Sequence, residues 1–573
     1  YFPIRHEGRG NLSPNTVVKW LKDQLSYGMD IVFHNAQYDL GWLHAEGIEV
    51  KGTIMDTMIA AALLDENRFS YSLDALGSTY LGQRKADKEL KDTAGQHGVD
   101  AKKDMWRLPA ARVANYAETD ARLTYDLWSV LYKNLIEDGC EEILKLEQSL
   151  VPIIFEMRKT GIRVDLEKAD KTKKFLEGKE KKLLQEVKKE VGFYIEPWNA
   201  TSLAKAFDTL GLEYERTKKS NAPSFTKHFL SNHEHPIAGK ILEIREFNKA
   251  NTTFVDTILS HQHNGRIHCE FNQLRSELGG TVTGRFSSSH PNLQQVPARH
   301  PVIKEMIRGL FLPEEGKLWG SFDYSAQEPR WLMHYVGLLP STSEDYRVQE
   351  IIKQYHQEDF DFHQMVADLA NVERTVAKTI NLGIMYGMGL GKLSDVLGNL
   401  SMEETKEIRN EYDEKVPFIR QVASAVSKAA EMRKEVRTLL GRMREKGVYG
   451  SKSSEFLHVD RLEREWDAIL ELPVEKREKD WEYRNPKFYR VANTYKALNR
   501  LIQASSADQT KKALLDCYVK GFTPMLTVHD ELCFSINKED IPKIKETMEK
   551  CVSKMLIPSK IDVGVGENWG NAK

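Results

Sequence analysis

The segment LTVHDELCFSI, positions 526–536, alternates apolar and β-branched residues with the period of two that marks a half-buried strand. Yet His529, Asp530 and Glu531 stand side by side in its middle. Two adjacent carboxylates in so apolar a setting are costly unless a partner or a cation neutralises them. A second segment repeats the conflict. In LWGSFDYSAQEPR, positions 318–330, Asp323 follows a short strand-like run, and Pro329 ends strand pairing beyond Glu328. Strands that bring Asp323 and Asp530 together would create a hard-oxygen site suited to Mg²⁺, an ion that shares its shell with substrate phosphates. Two such ions stabilise both the attacking and the leaving oxygen of a phosphoryl transfer. Taken alone, either acid is better explained by a cap or a salt bridge.

A third segment weighs against the plainer explanation. ERTVAKTINLGIMYGMG places Arg374, Lys378, Leu382 and Tyr386 at steps of four, along one slowly drifting helix stripe. Two cations a turn apart, then an apolar residue and a ring, suit a triphosphate and a base. Gly383, Gly387, Gly389 and Gly391 allow close backbone approach at some cost in helix formation. The alternative is an ordinary amphipathic helix, against which four glycines count.

A chain of 573 residues, 41% of them hydrophobic, is too long for one core and predicts several domains. The formal net charge of −2 gives no general field for nucleic acid, so any DNA surface must be a local concentration of bases. Cys140, Cys269, Cys517, Cys533 and Cys551 are scattered without a CxxC pair, which suits a reduced cytosol and argues against a zinc site or disulfide framework. No apolar run approaches a membrane span, and no signal peptide opens the chain. The opening YFPIRHEG reads as the inside of a strand, which implies missing upstream sequence.

Residues 1–145 alternate a strand-like run (31–33) with helical patterns (56–64, 110–131), an α/β reading. From about 141 to 190 the pattern is one long helix, lysine-rich in its second half, and 200–262 continue as helices. A mixed region covers 265–340, and helices cover about 344–445. A charge-dense insertion with its own helix occupies about 446–490. Helix (492–520), strand (525–536), helix (541–555) and IDVGVGENWG close the chain.

In chain order, DYSAQEPR, RTVAKTINLGIMYG and VHDE resemble the three polymerase motifs of the family A (DNA polymerase I-like) DNA polymerases. TVTGRFSSSHPNLQQVP, 281–297, resembles the family's primer-template signature, and NRLIQASSADQTKKALL its long palm helix. Each motif is moderately specific; five in the family's order are far more so. The resemblance implies an α/β multidomain chain. A ribonuclease H-like exonuclease domain (1–140), lacking its first strand, precedes a right-hand polymerase domain (141–573) with an antiparallel palm sheet. Within the latter the thumb is expected at about 141–275, the palm at 276–340 and 492–573, the fingers at 341–445, and the insertion at 446–490.

The same resemblance implies roles. Asp323 and Asp530 match metal-binding catalytic acids, with the backbone carbonyl of Tyr324 as a further ligand of two Mg²⁺ ions, Mn²⁺ being able to substitute. LTVHDELCFSI then reads as a palm hairpin, in which Glu531 matches a supporting acid and His529 a residue near the primer end. Arg374, Lys378 and His363 match triphosphate contacts, with Lys378 also donating a proton to pyrophosphate. Tyr386 matches the ring near the templating base, and Glu328 the residue whose bulk excludes a ribose 2′-hydroxyl. Arg285 and Gln503 match minor-groove readers, where similar acceptors on every Watson–Crick pair allow a test of shape. Asn292, Gln294, Arg299 and Asn499 match further DNA contacts. Two departures stand out: Leu382 replaces the usual Phe or Tyr that packs on the sugar, and Ala326, Gln327 and Pro329 replace more usual residues around Glu328.

VFHNAQYDLGWL and VANYAETDARLTYDL resemble the second and third motifs of the family's 3′–5′ proofreading exonuclease. Asp39 and Asp120 match metal ligands, Tyr116 the group that orients the attacking water, and Asn35 a supporting residue. The first motif, Asp-x-Glu, does not precede Asp39, so this chain alone is expected to proofread little or not at all. The expected partners are primer-template DNA, deoxynucleoside triphosphates and accessory replication proteins, for a monomer acting in a cytoplasm away from membranes. The sequence looks more like a phage or phage-derived enzyme than a cellular repair enzyme, and the host cytoplasm would then be its location. The competing readings are a nuclease whose polymerase half only holds DNA, and a non-catalytic DNA-binding replication subunit.

Overall fold

The computed structural model describes residues 1–217, 220–277, 279–297, 301–357, 360–398, 400–433, 435–444 and 496–572. Arg299 and the insertion expected at 446–490 lie outside the described residues.

The acid-bearing segments meet in one four-stranded antiparallel sheet. Its order is Leu526–Val528, Glu531–Ile536, Leu318–Tyr324, Ile561–Gly566. Because side chains alternate along a strand, the register sorts the sheet into two faces. Phe322, Leu532 and Phe534 share one face, with Phe322 and Phe534 edge to face at 5.5 Å. Gly320 sits among them, where a Cβ would collide with Ile536 and stand 2.9 Å from Phe322. Tyr324 points the same way and donates its hydroxyl to the Met548 carbonyl at 2.8 Å, on the helix Ile541–Lys550. The opposite face carries Trp319, Ser321 and Asp323 beside Cys533, Glu531 and Asp562. Trp319 stacks there on Trp569 at 5.8 Å, both fully buried, so this face is apolar at one end of the strand and acidic at the other.

LTVHDELCFSI is the expected hairpin, its strands Leu526–Val528 and Glu531–Ile536. Asp530 occupies the turn, because His529 takes a left-handed φ of 57° and reverses the chain. Ala326, also left-handed at φ 49°, turns the chain after Asp323 into the helix Gln327–Leu338. Non-glycine residues avoid this region, so both acids are flanked by backbone that the surrounding fold must hold in place.

Other expectations shift. The opening YFPIRHEG is not a strand: His6 and Asn11 exchange backbone–side-chain hydrogen bonds of 2.8 and 2.7 Å that fold it into a loop. The helix expected at 56–64 starts at Thr57, because Asp56 ends a strand and caps the helix by accepting from Met58 N at 2.8 Å. The single helix expected over 141–190 is two, Glu141–Thr160 and Leu166–Val191. Gly161 (φ 64°) breaks it where a Cβ would lie 2.7 Å from His268, and Ile162–Val164 pairs with Phe311–Leu312 and Arg266–Ile267. The helical region expected to reach 445 gives way to a hairpin, Val436–Arg437 with Met443–Arg444. The last helix ends at Lys550, short of 555.

Near the N-terminus, Ile31–Phe33 pairs in parallel with Ile54–Asp56, and Thr57–Leu64, Ala110–Glu137 and Glu141–Thr160 share their apolar core. Separate apolar clusters hold residues 187–244 and the helices between 331 and 422. No described helix is long and apolar enough to cross a membrane.

Candidate active site

Asp323, next to last in its strand, lies directly opposite Glu531 on one side and Asp562 on the other. Tyr324 N donates to the Asp530 carbonyl at 3.4 Å, tying the turn to the neighbouring strand end. Four carboxylates therefore crowd one edge of the sheet. Asp323 still reaches solvent, but the cleft walls strip much of its water. That burial, followed by Asp530, Glu531 and Asp562, pushes its carboxyl up to about 7 against a smaller pull from Arg308. Burial also raises Asp530, opposed by its own backbone, Arg285 and His529.

Such mutual repulsion is what a bound cation relieves, and oxygen donors alone suit Mg²⁺. Among the described residues, no three His, Cys, Asp or Glu side chains converge closely enough to hold an ion by themselves. Two acids and a carbonyl, completed by water and substrate phosphates, is nevertheless the coordination Mg²⁺ commonly takes. The donor set therefore fits.

Arg374, Lys378 and Leu382 lie on the helix Arg374–Met385, and Tyr386 caps its C-terminus. Arg374 and Lys378 are exposed, whereas Leu382 is half-buried against the adjoining apolar cluster. The guanidinium of Arg374 places Nε and Nη2 2.8 and 2.7 Å from Asp361 Oδ2. The other oxygen of Asp361 caps the helix Phe362–Ala370, accepting from His363 N at 2.9 Å and Gln364 N at 3.1 Å. Burial works against this carboxyl, but Arg374 and the two amides hold it below the usual range. His363 is buried, and that burial takes its imidazole down to about 4. Of the four glycines, Gly387 is left-handed (φ 65°) and a Cβ at Gly383 would lie 3.5 Å from Met388, while a Cβ at Gly389 or Gly391 would meet nothing within 4 Å among the described residues.

Glu328, in the first turn after Ala326, joins the two halves of the cleft. Arg285 Nη2 donates to its Oε1 at 2.6 Å, and the Tyr386 hydroxyl donates to its Oε2 at 2.6 Å. Gln503 lies beside the same hydroxyl. Gln294 donates to the Thr527 carbonyl at 3.2 Å, and Asn292 caps the short turn beneath it. Asn499 is partly exposed in the first turn of Ala497–Val519, and His529 is exposed at the hairpin tip.

In the N-terminal region, Asn35 (φ 67°) and Ala36 donate backbone N–H groups to Asp56 at 3.1 and 2.7 Å, which fixes the start of the helix Ala36–Ala45 carrying Asp39. Burial, then Asp56, push Asp39 up to about 6. Asp120 is engaged separately: Lys85 Nζ lies 2.7 Å from its Oδ2 and donates to the Tyr116 hydroxyl at 3.3 Å. The other oxygen, Asp120 Oδ1, is buried and has no hydrogen-bond partner among the described residues.

Sequence reasoning missed six residues here: Lys85, Arg308, Asp361, Asn381, Tyr412 and Asp562. Arg308 lies 4.2 Å over the Trp569 ring, within the field of Glu531 and Asp323. Only Asp361 carried a local signal, as an acid directly before a helix. The others depend on neighbours remote in sequence.

The sequence model described as DNA polymerase family A matches residues 166–571, and one described as 3′-5′ exonuclease matches 11–136. A DNA-directed DNA polymerase of Pseudomonas phage M6 is 33% identical over all of this chain and 88% of its own length. The DNA polymerase DpoZ of Acinetobacter phage SH-Ab 15497 is 28% identical over 96% of this chain and 90% of its own. The thermostable DNA polymerase I of Thermus aquaticus is 30% identical over 82% of this chain, which spans 52% of that longer protein. Among solved structures, the POL domain of Pol1 from M. smegmatis, in complex with DNA primer-template and dNTP, superposes with a TM-score of 0.74 at 23% identity, covering 98% of this chain and 90% of that one.

Proposed function

The chain belongs to DNA polymerase family A, and on that premise we propose that Asp323 and Asp530 form the centre at which it extends a primer 3′-hydroxyl with deoxynucleotides by two-metal phosphoryl transfer. The observation that carries this reading is their juxtaposition, one at a strand end and one in the adjoining turn, linked through Tyr324 N and the Asp530 carbonyl. Residues 1–140 are assigned to the exonuclease domain. The separate apolar clusters support a thumb within 141–275 and fingers within 341–445.

Two Mg²⁺ ions held by Asp323, Asp530 and the Tyr324 carbonyl would activate the primer hydroxyl and neutralise charge on the phosphates. Arg374, Lys378 and His363 bind the triphosphate, and Lys378 gives a proton to the departing pyrophosphate. Arg374 reaches it pre-oriented by Asp361. Leu382 packs on the sugar, and Glu328 forms the wall against a 2′-hydroxyl. Arg285 and Gln503 read the minor groove. Primer extension with dNTPs and Mg²⁺ tests the whole. An intact primer-template that gains no nucleotide, with binding unchanged in Asp530→Ala, would leave a protein that only holds DNA. The reading places a monomer in a host cytoplasm with primer-template DNA and dNTPs as partners.

Because Arg285 and Tyr386 both grip its carboxylate, Glu328 is a rigid wall. Glu328→Ala is expected to raise ribonucleotide incorporation, relative to deoxynucleotide, by about tenfold or more. Tyr386→Phe, which releases one grip, should raise it less. Competitive single-nucleotide insertion measures both, and unchanged selectivity in Glu328→Ala would sink this role.

For the exonuclease we infer little or no activity in this chain, since a divalent ion at Asp120 must first displace the Lys85 ammonium. Digestion of single-stranded DNA with Mg²⁺ or Mn²⁺ is expected to stay near background. Clear digestion that disappears in Asp39→Ala would refute that.

A further inference from the structure

We propose that Tyr412 and Asn381 are positioning residues that fix the tautomer of His363, so that its Nε2–H faces the phosphates of the incoming nucleotide. The proposal rests on the reading of His363 as a triphosphate contact. Asn381 and Tyr412 are fully buried where the helices Arg374–Met385, Phe362–Ala370 and Met402–Lys415 pack together, next to Ile380 and Ile384. A primary amide in such a core is costly unless both of its ends are bonded. Here both are. The Tyr412 hydroxyl donates to Asn381 Oδ1, and Asn381 Nδ2 donates to His363 Nδ1 at 3.3 Å.

The direction of each bond carries the inference. An amide oxygen only accepts and an amide nitrogen only donates. With its oxygen taken by the Tyr412 proton, Asn381 presents N–H to the imidazole. His363 Nδ1 must then be a lone-pair acceptor, and the proton of the neutral ring sits on Nε2. Burial keeps the ring neutral, and the nearby charges of Lys378 and Arg374 act the same way against the pull of Asp361. The phosphates thus meet a neutral N–H donor beside two cations.

Removing the Tyr412 hydroxyl frees the amide to rotate. Asn381 Oδ1 would then face Nδ1 and draw the proton there, leaving Nε2 a lone pair that repels phosphate oxygen. Tyr412→Phe is therefore expected to raise KM for dNTP about tenfold with kcat changed much less. In a His363→Ala background the same substitution should add nothing. Independently of activity, ¹⁵N NMR of the imidazole, assigned by the signal lost in His363→Ala, should report the Nε2–H tautomer in the wild type and its loss in Tyr412→Phe. Asn381→Leu, read the same way, serves if Tyr412→Phe does not fold. An unchanged KM in His363→Ala would remove the phosphate contact itself. A raised KM there, with additive loss in the double variant or an unaltered tautomer in Tyr412→Phe, would overturn the positioning role alone.

Discussion

Asp530→Ala is expected to lower primer extension by at least about a thousandfold, the scale on which removing central charge stabilisation acts, while primer-template affinity changes only a few fold. The carboxylate sits in a turn that the fold strains to form, with His529 left-handed before it and its own carbonyl held by Tyr324 N. It also adds to the repulsion that pushes Asp323 up to about 7. Removing it should therefore relieve the apo protein, leaving the thermal midpoint equal or higher while activity disappears. Loss of function without loss of stability separates a chemical role from a structural one. Glu531→Ala should cost less, since Cys533 Sγ donates to that carboxylate at 3.3 Å and ties it to its own strand. Single-turnover insertion with matched thermal scans decides the matter. Near-normal extension by Asp530→Ala beside an inactive Glu531→Ala would reverse the ranking.

The second large effect is on stability. Glu147, Arg442, Asp508 and Lys511 are all at most 1% exposed and form a closed set of two anions and two cations. Lys511 Nζ donates to Glu147 Oε1 at 2.6 Å and to the Gln273 carbonyl at 2.7 Å. Arg442 bridges Glu147 and Asp508, and Thr438 donates its hydroxyl to Asp508 Oδ2 at 2.6 Å. The set ties the helix Glu141–Thr160, the segment at Gln273, the hairpin ending at Arg444 and the helix Ala497–Val519 beneath the active-site sheet. Burial already brings Lys511 down to about 7, with Glu147 the main group opposing it. Glu147→Ala would strand two buried cations on one carboxylate, at a cost of about 3–5 kcal/mol. The denaturation midpoint, measured at a fixed scan rate, should fall clearly in Glu147→Ala, and less in Glu147→Gln, which keeps a bond to Gln273. A Glu147→Ala protein within about 1 kcal/mol of wild type would show that the buried charges are not interdependent.

The acids were legible early because they violate local rules. Asp323 and Asp530 interrupt apolar alternation, and such conflicts gather where function overrides packing. The cationic stripe of Arg374 and Lys378 was legible for the opposite reason, since helix periodicity alone places them on one face. Breaks were harder to see. The pattern over 141–190 reads as one helix because lysines and leucines continue on both sides of Gly161, and the break there shows only with the strands that flank Ile162–Val164. The hairpin at Val436–Arg444 was missed in the same way, its short strands carrying no alternation of their own.

The sequence by itself determined the parts: a hairpin bearing His529, Asp530 and Glu531, a strand ending in Asp323, a helix bearing Arg374 and Lys378, and motifs in the order of one polymerase family. Only the tertiary structure decided which charge answers which: Asp361 for Arg374, Lys85 for Asp120, Arg285 and Tyr386 for Glu328, Asn381 for His363, and Glu147 for both Arg442 and Lys511. The reason is physical. Periodicity records which face of a local segment is buried, so it survives in any window of sequence. An ion pair or buried hydrogen bond depends on a distance set by every element packed between its partners, and no local pattern encodes that distance.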